Sequence, residues 1–171
     1  MKFQFHFSMN IKLEEFNSRA KSLKKENQNF YKKLKSRPPS DLDLQFLELH
    51  EEVFAETDCL TCANCCKTTS PIFYERDIGR AARGLKLKPG DFTQKYLRLD
   101  EDKDYVPNSI PCPFLKVDNA CSIYDYRPAA CREYPHTNRK KMHQILELTY
   151  KNTLVCPAVL KITEKLKKAL L

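Results

Sequence analysis

The sequence predicts a mainly α-helical fold with a small β-hairpin (a minor α+β mixture). It would form a single cysteine-rich domain organised around a metal centre and preceded by a long N-terminal helix. Three observations predict this. Apolar residues recur at steps of three and four near both ends of the chain. Eight cysteines lie in the chain, four of them in the run Cys59-Leu60-Thr61-Cys62-Ala63-Asn64-Cys65-Cys66. Strand-like composition around a turn dipeptide is confined to one short stretch, Phe114 to Ile123. At 171 residues, 42% hydrophobic and 30% charged, the chain can build a core without covalent staples and is not composed like a disordered one.

Leu13, Phe16, Ala20, Leu23, Asn27, Phe30 and Leu34 form a heptad seam, which predicts one amphipathic helix over 10–36. Arg37-Pro38-Pro39 stops it. Residues 1–40 therefore read as a helix and its Pro-Pro linker, and 41–171 as the cysteine-cluster domain. The stripe docks on the domain or pairs with a second copy, docking being the commoner fate. A second helix over 41–56 has Ser40 or Asp41 as its cap. The four-thiol run reads as a loop or short turn, and Ile72-Phe73 as a short strand. Residues 75–83 read as a helix ended by Gly84 in a left-handed conformation. Pro89 to Leu97 reads as a short helix with proline in its first turn. The acidic, proline-punctuated segment 101–113 reads as loop. Phe114–Val117 and Ala120–Ile123 flank Asp118-Asn119 as a two-residue hairpin turn. Pro128 to Cys131 suits a helical turn, and helices over 139–151 and 157–170 close the chain, the last with Val159, Ile162, Leu166 and Leu170 in line.

The chemistry lies in sulfur. The candidate metal ligands are Cys59, Cys62, Cys65, Cys66, Cys112, Cys121, Cys131 and Cys156. A Cys-x-x-Cys turn brings two thiolates within about 2.3 Å of one zinc ion, and Cys59/Cys62 and Cys62/Cys65 both have this spacing. The adjacent Cys65-Cys66 pair fits one tetrahedral ion poorly, which argues for more than one metal, a polynuclear cluster, or one thiol left over. Eight thiols suffice for two four-cysteine sites or for one cluster with spare sulfurs. Thiolate donors select zinc, Cu(I) or iron–sulfur clusters over magnesium or calcium.

Several classes are disfavoured. Three glycines leave little for a phosphate-binding loop. No 18-residue apolar run suggests a membrane span. Met1–Phe7 alternates polar and apolar residues instead of forming a leader's apolar core, so the expected compartment is the cytoplasm, where thiols stay reduced. The net charge of +8 divides into +7 over residues 1–40, −5 over 41–138 and +6 over 139–171. Such basic ends read first as solvated helices and second as a surface for nucleic acid or an anionic membrane.

The run Cys59-x-x-Cys62-x-x-Cys65-Cys66, then Cys112-Pro-Phe-Leu, then Cys121-Ser-Ile-Tyr-Asp-Tyr-Arg-Pro-Ala-Ala-Cys131-Arg-Glu-Tyr-Pro, resembles the YkgJ-like cysteine cluster family, described as zinc- or iron-chelating. The resemblance covers about 57–160 and leaves the first helix outside. It implies metal chelation through these cysteines, with an iron–sulfur cluster or zinc as cofactor. Some larger relatives, the flagellin lysine methylases, carry the same cluster, but no separate cofactor-binding region is visible here.

Around the motif, Arg127 and Arg132 either donate to thiolates or an incoming anion, or pair with Asp125 and Glu133. Tyr124, Tyr126 and Tyr134 shield the centre. His136 is a candidate ligand, whereas His6, His50 and His143 have no supporting pattern. The expected function is metal chelation. The alternatives are an oxidoreductase or transferase using the centre, and a structural zinc domain that presents basic helices to nucleic acid or a protein partner.

Overall fold

The computed structural model describes residues 13–170. Residues 10–12 of the first predicted helix, the alternating Met1–Phe7 stretch and His6 lie outside the described residues. In chain order the helices are α1 (Leu13–Ser22), α2 (Lys24–Ser36), α3 (Leu42–Phe54), α4 (Cys59–Cys62), α5 (Asn64–Thr68), α6 (Glu75–Gly84), α7 (Pro89–Tyr96), α8 (Ala129–Glu133), α9 (Leu146–Asn152) and α10 (Pro157–Leu170). Strands β1 (Leu97–Leu99) and β2 (Tyr105–Pro107) complete a mainly α fold with a minor β-hairpin. No helix among the described residues is long and apolar enough to cross a membrane. The chain divides into two compact units, one made of Met1–Cys62 with Pro135–Leu171 and the other of Ala63–Tyr134.

In the discontinuous unit the heptad seam turns inward. Of its residues Phe16, Ala20, Asn27 and Leu34 are buried, while Phe30 is half-buried and its neighbour Tyr31, outside the seam, is buried in its place. The single predicted helix carries one irregular turn at Leu23, yet the hydrogen-bond ladder crosses it: Leu23 N–H donates to Arg19 (3.0 Å) and Asn27 N–H to Leu23 (2.8 Å). Tyr31 and Leu34 join Leu42, Phe46, Val53, Met142, Leu146, Ala158, Ile162 and Leu166 in one core, while Phe16 and Ala20 pack with Leu160. The docked fate of the stripe is thus the observed one. Asp41 stands at the α3 N-cap, but its carboxylate accepts from the Gln45 amide (3.0 Å) and makes no cap bond to the backbone. The predicted 139–151 helix starts late, at Leu146. Lys141 is left-handed (φ 62°), and the Asp43 carboxylate takes its N–H and that of Met142 at 2.6 and 2.8 Å. Those amides are therefore tied to a side chain, and a 3-10 turn, Met142–Gln144, intervenes.

The continuous unit is organised by aromatics. Phe73, Phe92 and Phe114 are buried with Ile78, Ala81, Ala82, Leu97 and Ile123. Phe92 and Phe114 stack at 5.7 Å, and Tyr96 lies 5.0 Å from Phe114. Burying each such ring is worth about 1.5–3 kcal/mol. The second strand of the hairpin lies in the 101–113 segment expected to be loop, and the first begins on Leu97, the last residue of the predicted 89–97 helix: Leu97 pairs with Pro107, Arg98 with Val106 and Leu99 with Tyr105. The acidic run is its turn, because the Asp100 carboxylate collects the N–H groups of Asp102 (3.0 Å) and Asp104 (2.9 Å). Ile72-Phe73 is not a strand; Phe73 N–H makes one bond to Tyr105 O (2.8 Å) beside the sheet. Around Asp118-Asn119 there is only a single bridge, Leu115 to Cys121. Its loop has three residues and ends on left-handed Asn119 (φ 63°), with Lys116 N–H donating to Ala120 O (2.8 Å).

Gly84 is helical, not left-handed; that conformation falls on Lys86 (φ 57°). What Gly84 provides is clearance. A Cβ there would overlap the ring of Tyr126 in the 3-10 turn Tyr124–Tyr126.

Candidate metal centre

All eight cysteines lie among the described residues, and all are thiols in the structure. The dense run is helical rather than looped, α4 and α5 being separated by left-handed Ala63 (φ 47°). Within the continuous unit, Cys112 N–H donates to Cys66 O (2.9 Å), so two cysteines 46 positions apart meet through the backbone. The thiols of Cys66, Cys112, Cys121 and Cys131 then act on one another electrostatically. Cys65 Sγ lies 4.0 Å from Cys66 Sγ. That is close to the edge of about 3.8 Å that a tetrahedron of 2.3 Å zinc–sulfur bonds would have. Neighbouring thiols are therefore less awkward for one ion than their sequence suggests. Within the discontinuous unit, Cys156 senses Cys59 and Cys62.

Protonation follows from this crowding. Burial first, then the charges of Cys66, Cys112 and Cys121, push Cys131 up to about 12. Burial likewise holds Cys112 at about 11, with Cys66 and Cys121 adding to it, and raises Cys121. Cys156 reaches about 11 by burial, reinforced by Cys59 and Cys62. Cys66 goes the other way, to about 7, because the Cys65 thiol hydrogen-bonds to it; burial opposes this and Lys67 assists it. A bound cation would reverse the preference for the neutral form at each of these sulfurs.

The backbone is already arranged for thiolate. Cys112 receives the N–H groups of Phe114 and Leu115, and Cys156 those of Ala158 and Val159. In both places the next residue is proline, which has no N–H and a fixed φ, so the amides two and three positions on turn toward sulfur. Cys121 receives the N–H of Ile123. Hydrogen bonds to ligand sulfur tune bound metals.

Two charged residues that sequence reasoning missed hold this frame. Asp77 is completely buried. Its carboxylate accepts from Arg80 (2.7 Å), from Ala129 N–H (3.3 Å) and from Tyr74 N–H (3.3 Å). Arg80 also donates to Arg127 O (2.7 Å), and Arg132 to the same carbonyl (3.2 Å). The segment between Cys121 and Cys131 is thereby clamped to α6. Asp77 reads in sequence as an ordinary first-turn acid; the one available signal is its placement three residues before Arg80. Arg127 and Arg132 do not pair with Asp125 or Glu133 among the described residues. Arg127 lies 3.7 Å over the Tyr124 ring, and its charge favours thiolate at Cys121 and Cys131. Tyr124 and Tyr126 are largely exposed. His50 is structural, stacked on Phe54 (4.4 Å) and bonded to Thr137 (2.8 Å). His136 is left-handed (φ 66°), and no three His, Cys, Asp or Glu donors among the described residues close on a common point as a ready ligand set.

The family model CxxCxxCC, described as "Putative zinc- or iron-chelating domain", matches residues 58–157. The chain belongs to that family. No curated protein and no solved structure matches it. The CxxCxxCC match takes in all eight cysteines, from Cys59 at its second position to Cys156 at its penultimate one, and leaves α1, α2 and α3 outside. Its donor set is soft, numerous and already supplied with amide donors to sulfur, which fits zinc or iron.

Proposed function

We propose that this CxxCxxCC protein works in the cytosol as a metal chelator, holding iron as an iron–sulfur centre, or zinc, through thiolates of Cys59, Cys62, Cys65, Cys66, Cys112, Cys121, Cys131 and Cys156. What supports this reading is that Cys66, Cys112, Cys121 and Cys131 lie in one compact unit, that the backbone joins Cys112 to Cys66 (2.9 Å), and that the four thiols influence one another electrostatically. A tetrahedral zinc ion or a four-cysteine iron–sulfur cluster requires four thiolates at one point, and on this reading binding draws these four together. Three more, Cys59, Cys62 and Cys156, belong to the other unit, where the first two act electrostatically on the third. Binding displaces protons from these raised-pKa thiols, so loading is coupled to proton release and to folding.

The test is purification of the full chain without oxygen, followed by elemental analysis and an absorption spectrum. Stoichiometric iron with a visible band bleached by dithionite identifies the iron–sulfur form, and stoichiometric zinc in a colourless protein the other. Neither metal above trace level overturns the proposal. Cys131→Ser, in a chain that still folds, should lower metal content; full occupancy would remove Cys131 from the ligand set.

A further inference from the structure

We propose that the solvent face of α1 and α2 binds the phosphodiester backbone of nucleic acid. Lys21, Lys24, Lys25, Lys32 and Lys35 are all exposed. At 3.6 residues per turn they fall within about 100° of one helix face, over about 21 Å of length. Between Asn17 and Ser36 that face otherwise presents Asn17 and Gln28, both exposed and uncharged, and the one acid of α1 and α2 on it is Glu14, two turns before Lys21.

Elsewhere in the same unit several cations are paired, although among the described residues Lys33, Arg37, Lys140 and Lys168 are not. Arg19 pairs with Glu164 (2.7 Å), Lys161 with Glu56 (3.0 Å), Lys165 with Glu52 (2.8 Å) and Lys167 with Glu26 (2.6 Å). Among the described residues none of the five stripe lysines has an ion-pair partner. Glu26, the acid nearest them in sequence, is held by Lys167. Spacings such as Lys21/Lys25 and Lys32/Lys35 place like charges one turn apart, where they repel. A polyanion laid along the face removes that repulsion and releases its counterions.

An anionic membrane suits the face less well. A surface-bound helix needs a free apolar side, and here Phe16, Ala20, Tyr31 and Leu34 are spent on the core. With lysines and amides but no arginine fork, the stripe would follow phosphates without reading bases.

The experiment measures binding of the metal-loaded full chain to a fluorescent 20-base-pair DNA duplex between 50 and 200 mM salt. Five phosphate contacts give a log–log salt slope of about −4.5, or about a 500-fold loss of affinity across that range. Changing Lys21, Lys24, Lys25, Lys32 and Lys35 to Gln should abolish binding at 50 mM salt while helix content and metal content stay unchanged. A control with the same charge change elsewhere, Lys86, Lys88, Lys103, Lys140 and Lys168 to Gln, should keep most of it. No duplex binding at 50 mM salt overturns the proposal. So does equal loss in the control, or stripe-dependent binding to phosphatidylserine vesicles that exceeds binding to the duplex.

Discussion

Replacing Asp77 with Ala tests whether the clamp beside the thiols is structural. Asp77 is fully buried and Arg80 one quarter exposed, so the change strands a largely buried guanidinium. It also removes the acceptor for the Ala129 and Tyr74 amides. Breaking a buried pair from one side costs about 3–5 kcal/mol. The lower end applies, because Arg80 keeps the Arg127 carbonyl and some solvent. For a chain of this size about 3 kcal/mol lowers the Tm by about 6–12 °C. Thermal unfolding of the metal-loaded protein measures this directly. A second effect follows, because the clamped segment joins Cys121 to Cys131. All eight thiols remain, so occupancy at low temperature should hold while a chelator strips metal several-fold faster. In the double variant Asp77→Ala/Arg80→Met no charge is stranded, and it should recover at least about half of the lost stability. A Tm drop below about 3 °C for Asp77→Ala, or a double variant no better than the single one, would refute the reasoning.

Three more expectations are as direct. Gly84→Ala pushes a methyl into the Tyr126 ring and should cost about 1–3 kcal/mol in denaturant unfolding, with recovery in Gly84→Ala/Tyr126→Ala; an unchanged midpoint would contradict it. Thr163 donates to Val159 O (2.7 Å), so in the 2.8 Å contact the Tyr31 hydroxyl is the donor. Tyr31→Phe should therefore cost about 1 kcal/mol, and Thr163→Val more, about 1–3, because it leaves a buried O–H without an acceptor; the reverse order would show that the bond runs the other way. In metal-stripped protein Cys66, lowered to about 7, becomes a thiolate as pH rises through neutrality, whereas Cys112 and Cys131 at about 11 and 12 stay protonated. Mass spectrometry of iodoacetamide adducts at pH 7 should show Cys66 modified ahead of those two, and Cys65→Ala should move its half-point to or above the ordinary 8.5; equal labelling of the three would refute this.

Helix periodicity was legible because the seam is long and one-sided: Phe16, Ala20 and Leu34 are buried as their spacing predicts, and so are Val159, Ile162 and Leu166. The hairpin was misplaced for an identifiable reason. Strand composition around Asp118-Asn119 is local, whereas the ladder from Leu97 to Tyr105 depends on Asp100 folding back over an acidic turn, which composition reads as loop. Gly84 was recognised as special but for the wrong property, since close approach of a ring leaves no trace in spacing. At the candidate metal centre the residue types name the donors to test, while their geometry is not visible in the sequence. Cys-Pro pairs flag constrained backbone, but the amides aimed at Cys112 and Cys156 appear only once the chain is folded. Asp77 stayed hidden because a buried carboxylate and a helix-capping one look alike in a sequence.

The CxxCxxCC run is also where the chain crosses from one unit to the other: Cys59 and Cys62 belong to the discontinuous unit, Cys65 and Cys66 to the continuous one. One unit is therefore an insertion within the other, which orders events on the ribosome. Every sulfur of the inserted unit has been synthesised once Cys131 emerges, while Cys59 and Cys62 still await Cys156, the last thiol to appear. With the proposed ligands, an emerging chain would acquire metal in its middle before its ends have met, and a truncation just short of Cys156 would spare the inner thiols while removing one of the proposed outer donors.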